Sequence, residues 1–198
     1  MIDAGGGKNS FEFIKNELAK NNLKKPDYIV LTHHHWDHTF GINYFNSIVI
    51  SSVYTKFVLD YINSIDKKTT KDIISDSLEP KFCIEHINLE YHNDLSKLDN
   101  LIVNKTVSNL SLDLGNRIVD IKEVQANHTK GSLVVFDRLT KTIFIGDADC
   151  GVIKDYYFIL DKNELKKFIK DISVFDYSYI VRWHGEVVDK ETYLSSLE

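Results

Sequence analysis

The stretch Thr32-His33-His34-His35-Trp36-Asp37-His38-Thr39 carries four of the chain's eight histidines and an aspartate. Imidazole and carboxylate are donor types that bind zinc and iron. In an extended segment, residues two apart share a side, so His33 and His35 are expected to face one ion while His34 points away. Asp37 and His38 lie where the chain turns toward a helix expected to begin near Thr39, and they face a second position close by. Two imidazoles do not complete a site, because catalytic zinc takes three protein ligands and keeps one place open for water. Further donors must come from distant parts of the chain.

Three candidates stand just past expected strands. His128 lies in Ala126-Asn127-His128-Thr129-Lys130-Gly131-Ser132, a turn between Arg117–Val124, which alternates apolar and polar residues, and the apolar run Leu133–Phe136. Asp147 follows Thr142–Ile145 and Gly146, and His184 follows Tyr179–Val181. The histidine-rich stretch itself follows the apolar run Tyr28–Leu31, read as a strand buried on both faces. Mixed α/β folds place chemistry at such strand ends. Apolar residues three and four apart predict three amphipathic helices: Phe11, Ile14 and Leu18; Phe57, Val58, Tyr61, Ile62 and Ile65; and Leu165, Phe168, Ile169 and Ile172. Residues 66–112 read as a mixed excursion without a definite register.

The set resembles the metallo-β-lactamase fold superfamily. The residues that carry the resemblance are His33-x-His35-x-Asp37-His38, His128 before Thr129-x-Gly131-Ser132, Gly146-Asp147 and His184-Gly185, in this order, and the likeness runs from Ile2 to about Val188. It implies an α+β fold, a four-layer αββα sandwich, with residues 1–198 as a single domain. It also implies two divalent ions: His33, His35 and His128 hold the first, Asp37, His38 and His184 the second, and Asp147 bridges them. Two zinc ions are the expected pair, with iron or manganese as alternatives. The chemistry implied is attack by a metal-bridged hydroxide on an ester, thioester, lactone or related bond of a small molecule, with Asp37 taking or orienting the proton. Asp3, in Ile2-Asp3-Ala4-Gly5, matches an Asp-x-Gly turn that braces the metal loop from behind.

The sequence departs from the family's pattern in places. Two or more strands normally precede the Asp-x-Gly turn, which here begins at residue 2, so the first sheet is expected to lack its N-terminal strands. Either the start lies upstream, or a partner strand, from a homodimer for example, is expected to fill the exposed edge. Asn127 stands where the family has Gly, and is expected to take the left-handed backbone that Asn tolerates. Trp183 replaces a common Gly and, with Trp36, flanks the ligands. The likeness to glyoxalase II is strongest in Thr32–His38, but the 14 or so residues past His184 are expected to leave no room for that enzyme's C-terminal helical domain.

Composition narrows the function classes. Apolar residues make up 43% and charged residues 27%, with a net charge of −5, which describes a globular chain without the basic footprint of a nucleic-acid binder. No apolar run reaches the roughly 20 residues of a membrane span. The two cysteines, Cys83 and Cys150, form no CxxC pair and suit a reducing, cytoplasmic setting. A diiron oxidoreductase is an alternative, but those proteins carry Glu at the position of His35 and a flavin domain. A metal-binding protein of the same fold without turnover is another.

Overall fold

A computed structural model describes residues 1–66, 73, 83–154, 157–182 and 184–197. The chain opens with a bridge from Ile2 to Val30, then helix α1 (Lys8–Lys20) and strand β1 (Tyr28–Val30). Next come the short helix α2 (Trp36–Thr39), strand β2 (Ile48–Ser51) and helix α3 (Val53–Ser64). Helix α4 (Ile84–Tyr91) and strand β3 (Lys105–Thr106) follow. The second half adds β4 (Asn109–Asp113), β5 (Ile118–Val124), β6 (Ser132–Asp137) and β7 (Thr142–Gly146). A hairpin of β8 (Val152–Lys154) and β9 (Tyr157–Ile159) leads to α5 (Lys162–Ile172), β10 (Tyr179–Arg182), β11 (Val187–Asp189) and α6 (Lys190–Ser195).

The strands form two main sheets. One is parallel, in the order β1-β2-β3; the other has six strands in the order β11-β10-β7-β6-β5-β4. Three apolar clusters separate four layers. The first, with Ile29, Phe40, Leu59, Ile62 and Ile87, lies between α3, α4 and the small sheet. The second, with Val30, Ile50, Ile121, Leu133 and Val135, lies between the sheets. The third, with Ile143, Ile145, Phe168, Ile172 and Tyr193, packs α5 and α6 on the outer face of the large sheet. The α+β, four-layer expectation therefore holds.

Local chemistry explains the elements. Ser52 caps α3 by accepting from the Thr55 N–H, Asp161 caps α5 through Asn163 and Glu164, and Asp189 caps α6 through Thr192. In β6 every residue is buried, as expected of a central strand covered on both faces. In α3 the expected core face is partly wrong. Thr55, Val58, Leu59 and Ile62 are buried, but Phe57 and Tyr61 are 67% and 50% exposed. At 100° per residue only one stripe can face the sheet, and Leu59 and Thr55 complete that stripe while Phe57 and Tyr61 fall beside it.

At the first sheet's edge, Ile2 contributes a single bridge, and among the described residues no strand flanks it. The Met1 ammonium donates to Tyr28 O, Val30 N to Met1 O and Asp3 N to Val30 O. Beside this edge opens an apolar cleft of about 540 Å³, lined among others by Ile2, Tyr28, Leu112, Val119, Phe144 and Val181. Within residues 66–112, the described part contains α4, a 3-10 turn at Leu95–Lys97, β3 and the start of β4. No helix among the described residues is long and apolar enough to cross a membrane.

Candidate metal centre

The ends of β1, β5 and β7, together with the segment after β10, meet at one rim of the two sheets. Thr32 O accepts from Leu133 N at 2.8 Å, which ties the β1 end to β6 and thus joins the two sheets where the histidines begin. Gly146 sits at φ 54°, and a Cβ there would lie 2.6 Å from Thr32 Oγ1, so a glycine is required for the β7 end to approach this segment. Gly41 does the same for α2: a Cβ would lie 2.1 Å from Ala4 O. That close approach is held by Ala4 N donating to His38 O and Gly41 N to Gly5 O, both at 2.8 Å.

All seven expected donors converge here. His33 Nε2 lies 3.1 Å from His35 Nδ1, and His128 Nε2 lies 2.9 Å from the same atom. Asp37 Oδ2 is 3.5 Å from His38 Nε2 and 3.3 Å from His184 Nε2. A single oxygen, Asp147 Oδ2, stands 3.7 Å from both His38 Nε2 and His128 Nε2, and 3.5 Å from His184 Nε2. The donor atoms form three overlapping groups that could hold a cation: His33, His35 and His128; His33, His38 and Asp147; and Asp37, His38 and His184. His34 joins none of these; its ring packs on His35 and on Tyr54, with centroids 4.7 and 5.8 Å away.

The way the donors are presented differs from the expectation. Residues 32–34 are bent rather than extended, and α2 begins at Trp36, three residues earlier than expected, so Asp37 and His38 are helical. A bend lets His33 present Nε2 and His35 Nδ1, a pairing that strand alternation alone does not specify. Asn127 keeps a negative φ, and the left-handed residue in its turn is Gly131. The Asn127 side chain serves instead as a strut, donating to Cys150 O and accepting from Asp161 N, both at 3.2 Å. Trp36 packs against the first core cluster, and Gly6 lies flat on its ring. Trp183 lies outside the described residues.

Surrounding acceptors decide which ring nitrogens face inward. The buried Asp3, at φ 54°, accepts from Thr32 N (2.7 Å), Thr32 Oγ1 (2.8 Å) and His38 Nδ1 (2.8 Å). Since the Thr32 hydroxyl gives its proton to Asp3, its oxygen accepts from His33 Nδ1 at 3.1 Å. Gly151 O can only accept, so His128 Nδ1 carries the proton across their 3.2 Å contact. The Nε2 atoms of His33 and His128 are therefore lone pairs, both aimed at His35 Nδ1, which has at most one proton to offer. A cation among the three nitrogens satisfies them all. Their 2.9 and 3.1 Å spacings approach the roughly 3.3 Å between ligands of a tetrahedral zinc with bonds of about 2.0–2.1 Å. The donor set fits a metal.

The electrostatics divide the cluster. Burial, reinforced by the neighbouring imidazoles, holds His33 and His35 well below the usual histidine range, and burial also lowers His128. Burial opposes the charge on His38, but the carboxylates of Asp3, Asp37 and Asp147 outweigh it and hold His38 well above that range. His184, bonded to Asp147 and Asp37, is raised to about 9. Burial acts against ionisation of Asp147 and Asp37, yet the adjacent histidines keep both below the ordinary carboxylate range. Cys150, three residues past Asp147, belongs to no donor group; burial and the nearby Asp147 and Asp149 push its thiol up to about 11.

Residues outside the expected set take part in the architecture: Thr32, Gly151, Asp149, Arg182 and Tyr193. Their roles are contacts between segments far apart in sequence, and no local motif marks them.

Sheets, layers and converging histidines together define the metallo-β-lactamase fold. Residues 1–53 match the family model of the metallo-beta-lactamase superfamily. Among solved structures, a metallo-beta-lactamase from Pontibacter korlensis superposes with a TM-score of 0.64 at 16% identity, over 99% of this chain and 80% of that one. An archaeal metallo-beta-lactamase superfamily protein from Sulfolobus tokodaii gives 0.59 at 21% identity, over 100% and 73%. A B3 metallo-beta-lactamase, BLEG-1, gives 0.61 at 17% identity, over 98% and 84%. No curated protein matches the sequence.

Proposed function

We propose that the chain is a metal-dependent hydrolase that cleaves an ester, thioester, lactone or related bond in a small molecule, with two zinc ions as its cofactors. His33, His35 and His128 would hold one ion, Asp37, His38 and His184 the other, with Asp147 shared. The observation that carries this reading is the placement of Asp147 Oδ2 within 3.5–3.7 Å of imidazole nitrogens from both groups. One carboxylate oxygen shared between two donor groups is what a pair of neighbouring cations needs, because it offsets their mutual repulsion. When bound, such ions supply Lewis acidity toward a carbonyl or phosphoryl oxygen and acidify water.

The chain's own residues would do the rest. His184 is 60% exposed on its side chain and marks the open side, where substrate enters. Asp37, partly exposed beside it, is the carboxylate placed to take a proton at Oδ2 from the attacking water and return it to the leaving group. Asp3 and Gly151 hold the imidazole tautomers from behind, out of reach of substrate.

The test is a panel of ester, thioester, lactone and phosphodiester substrates, run on protein whose metal content has been measured by elemental analysis. Hydrolysis of at least one class, abolished by a chelator and restored by zinc, is the expected result. Protein loaded with two ions and inert across the panel would sink the hydrolase reading and favour a metal-holding protein without turnover.

A further inference from the structure

Asp147 and His184 are carried by two separate segments, those following the parallel neighbours β7 and β10. Two residues past Asp147, the Asp149 side chain is 2% exposed and takes no part in the donor groups. Its carboxylate accepts from Arg182 Nε, 2.9 Å from Oδ2 and 3.2 Å from Oδ1, and from the buried Tyr193 hydroxyl at 3.1 Å. Arg182 stands two residues before His184 and pairs with Gly146 of β7, just past a register shift between Val181 and Arg182 that leaves Ile145 of β7 as the extra residue. Tyr193 lies in α6 among the apolar residues of the outer layer. The same segment reaches His128 on its other side, because Gly151 O accepts from His128 Nδ1 and Cys150 O from the Asn127 amide.

Resting on the metal reading above, we propose that Asp149, Arg182 and Tyr193 form a clamp that sets the reach from Asp147 to His184, and so determines whether the second ion is held. All three are positioning residues, and none belongs to a donor group found among the described residues. The physical reason is leverage. His184 projects from an exposed segment, and a ligand on such a segment holds metal well only if its base is fixed relative to the other ligands. Arg182 fixes that base, Asp149 joins it to the segment carrying Asp147, and Tyr193 orients the carboxylate. The clamp leaves His33, His35 and His128 alone except through Gly151, so its loss should separate the two ions.

The experiment is a stepwise cobalt(II) titration of metal-free wild type and of Asp149→Asn, Tyr193→Phe, Arg182→Ala and Arg182→Lys, followed by visible absorption against a competing chelator. Asp149→Asn and Arg182→Ala should weaken the second step by about 10–100-fold, the range for partners that orient metal ligands, and leave the first step unchanged. Tyr193→Phe should do so less, and Arg182→Lys should recover part of the loss. A merely structural pair would lower the melting temperature while leaving both steps as in wild type, or weaken both equally; either outcome overturns the clamp. Should Asp149→Asn fail to fold, Tyr193→Phe and Arg182→Ala, which alter a single hydroxyl and a half-exposed side chain, decide the question. Wild type that takes up only one ion overturns the two-ion reading and the clamp with it, whereas two ions bound with wild-type affinity in every variant overturn the clamp alone.

Discussion

The two ends of the donor cluster are built from the same side chain and behave in opposite ways. His33, His35 and His128 face one another, with Asp147 reaching only His128 at 3.7 Å, and burial outweighs that carboxylate and keeps them neutral. His38 and His184 face Asp37 and Asp147 and hold their protons, His184 up to about pH 9. The first group is a cup of lone pairs, ready for a cation. The second is an ionic cluster in which a cation must displace protons that already neutralise the carboxylates. The difference teaches that burial alone does not set whether an imidazole is a ready ligand: fully buried His38 and exposed His184 shift in the same direction because both face carboxylates.

The hardest blow to this division is Asp147→Ala, because Asp147 Oδ2 serves both groups. The variant should fall below one ion per chain by elemental analysis and lose all turnover; two ions retained at native affinity would remove the shared role. Next comes Asp3→Ala, which leaves the buried, protonated His38 without its 2.8 Å anchor. Breaking a buried pair in this way costs about 3–5 kcal/mol, readable by denaturant unfolding of the metal-free protein. An undiminished midpoint would mean that His38 is held by other contacts.

A pH series sharpens the contrast without any substitution. Because His184 titrates near 9 and His38 above the usual range, lowering the pH favours the proton over the second ion. Its affinity should fall by about tenfold per pH unit for each proton displaced, starting below pH 9, while the first step stays flat to below pH 6.5. Parallel slopes for the two steps would erase the division. The smallest effect is expected of His34→Ala. Metal content should be unchanged and stability lower by about 0.5–3 kcal/mol through lost packing on Tyr54. Loss of one ion would place His34 among the ligands after all.

Much of the centre was legible in the sequence. His33, His35, Asp37 and His38 lie within six residues, and any local conformation keeps them close. His128, Asp147 and His184 were legible because each follows a strand whose apolar pattern is visible, and strands of one sheet end at a common rim. The outer helices α1 and α5 were equally plain from their spacing, but α3 was misread at Phe57 and Tyr61, where two apolar residues beside the buried stripe point outward. Asn127 was expected to supply a backbone conformation and instead supplies a side-chain strut, since Gly131 takes the left-handed position. Asp149, Arg182 and Tyr193 left no signal, because a carboxylate, a guanidinium and a phenol scattered over 45 positions match no periodicity.

The sequence by itself determined the kinds of donor, their order and the elements that carry them, since these follow from residue type and from patterns within a few positions. Only the tertiary structure decided which nitrogen of each ring faces inward, which histidines are neutral and which carry protons, and what joins the Asp147 segment to His184. Those properties arise from acceptors, carboxylates and buried surroundings that other parts of the chain bring within 3–4 Å. Electrostatic energy and hydrogen bonding depend on distance in space, not on separation along the chain.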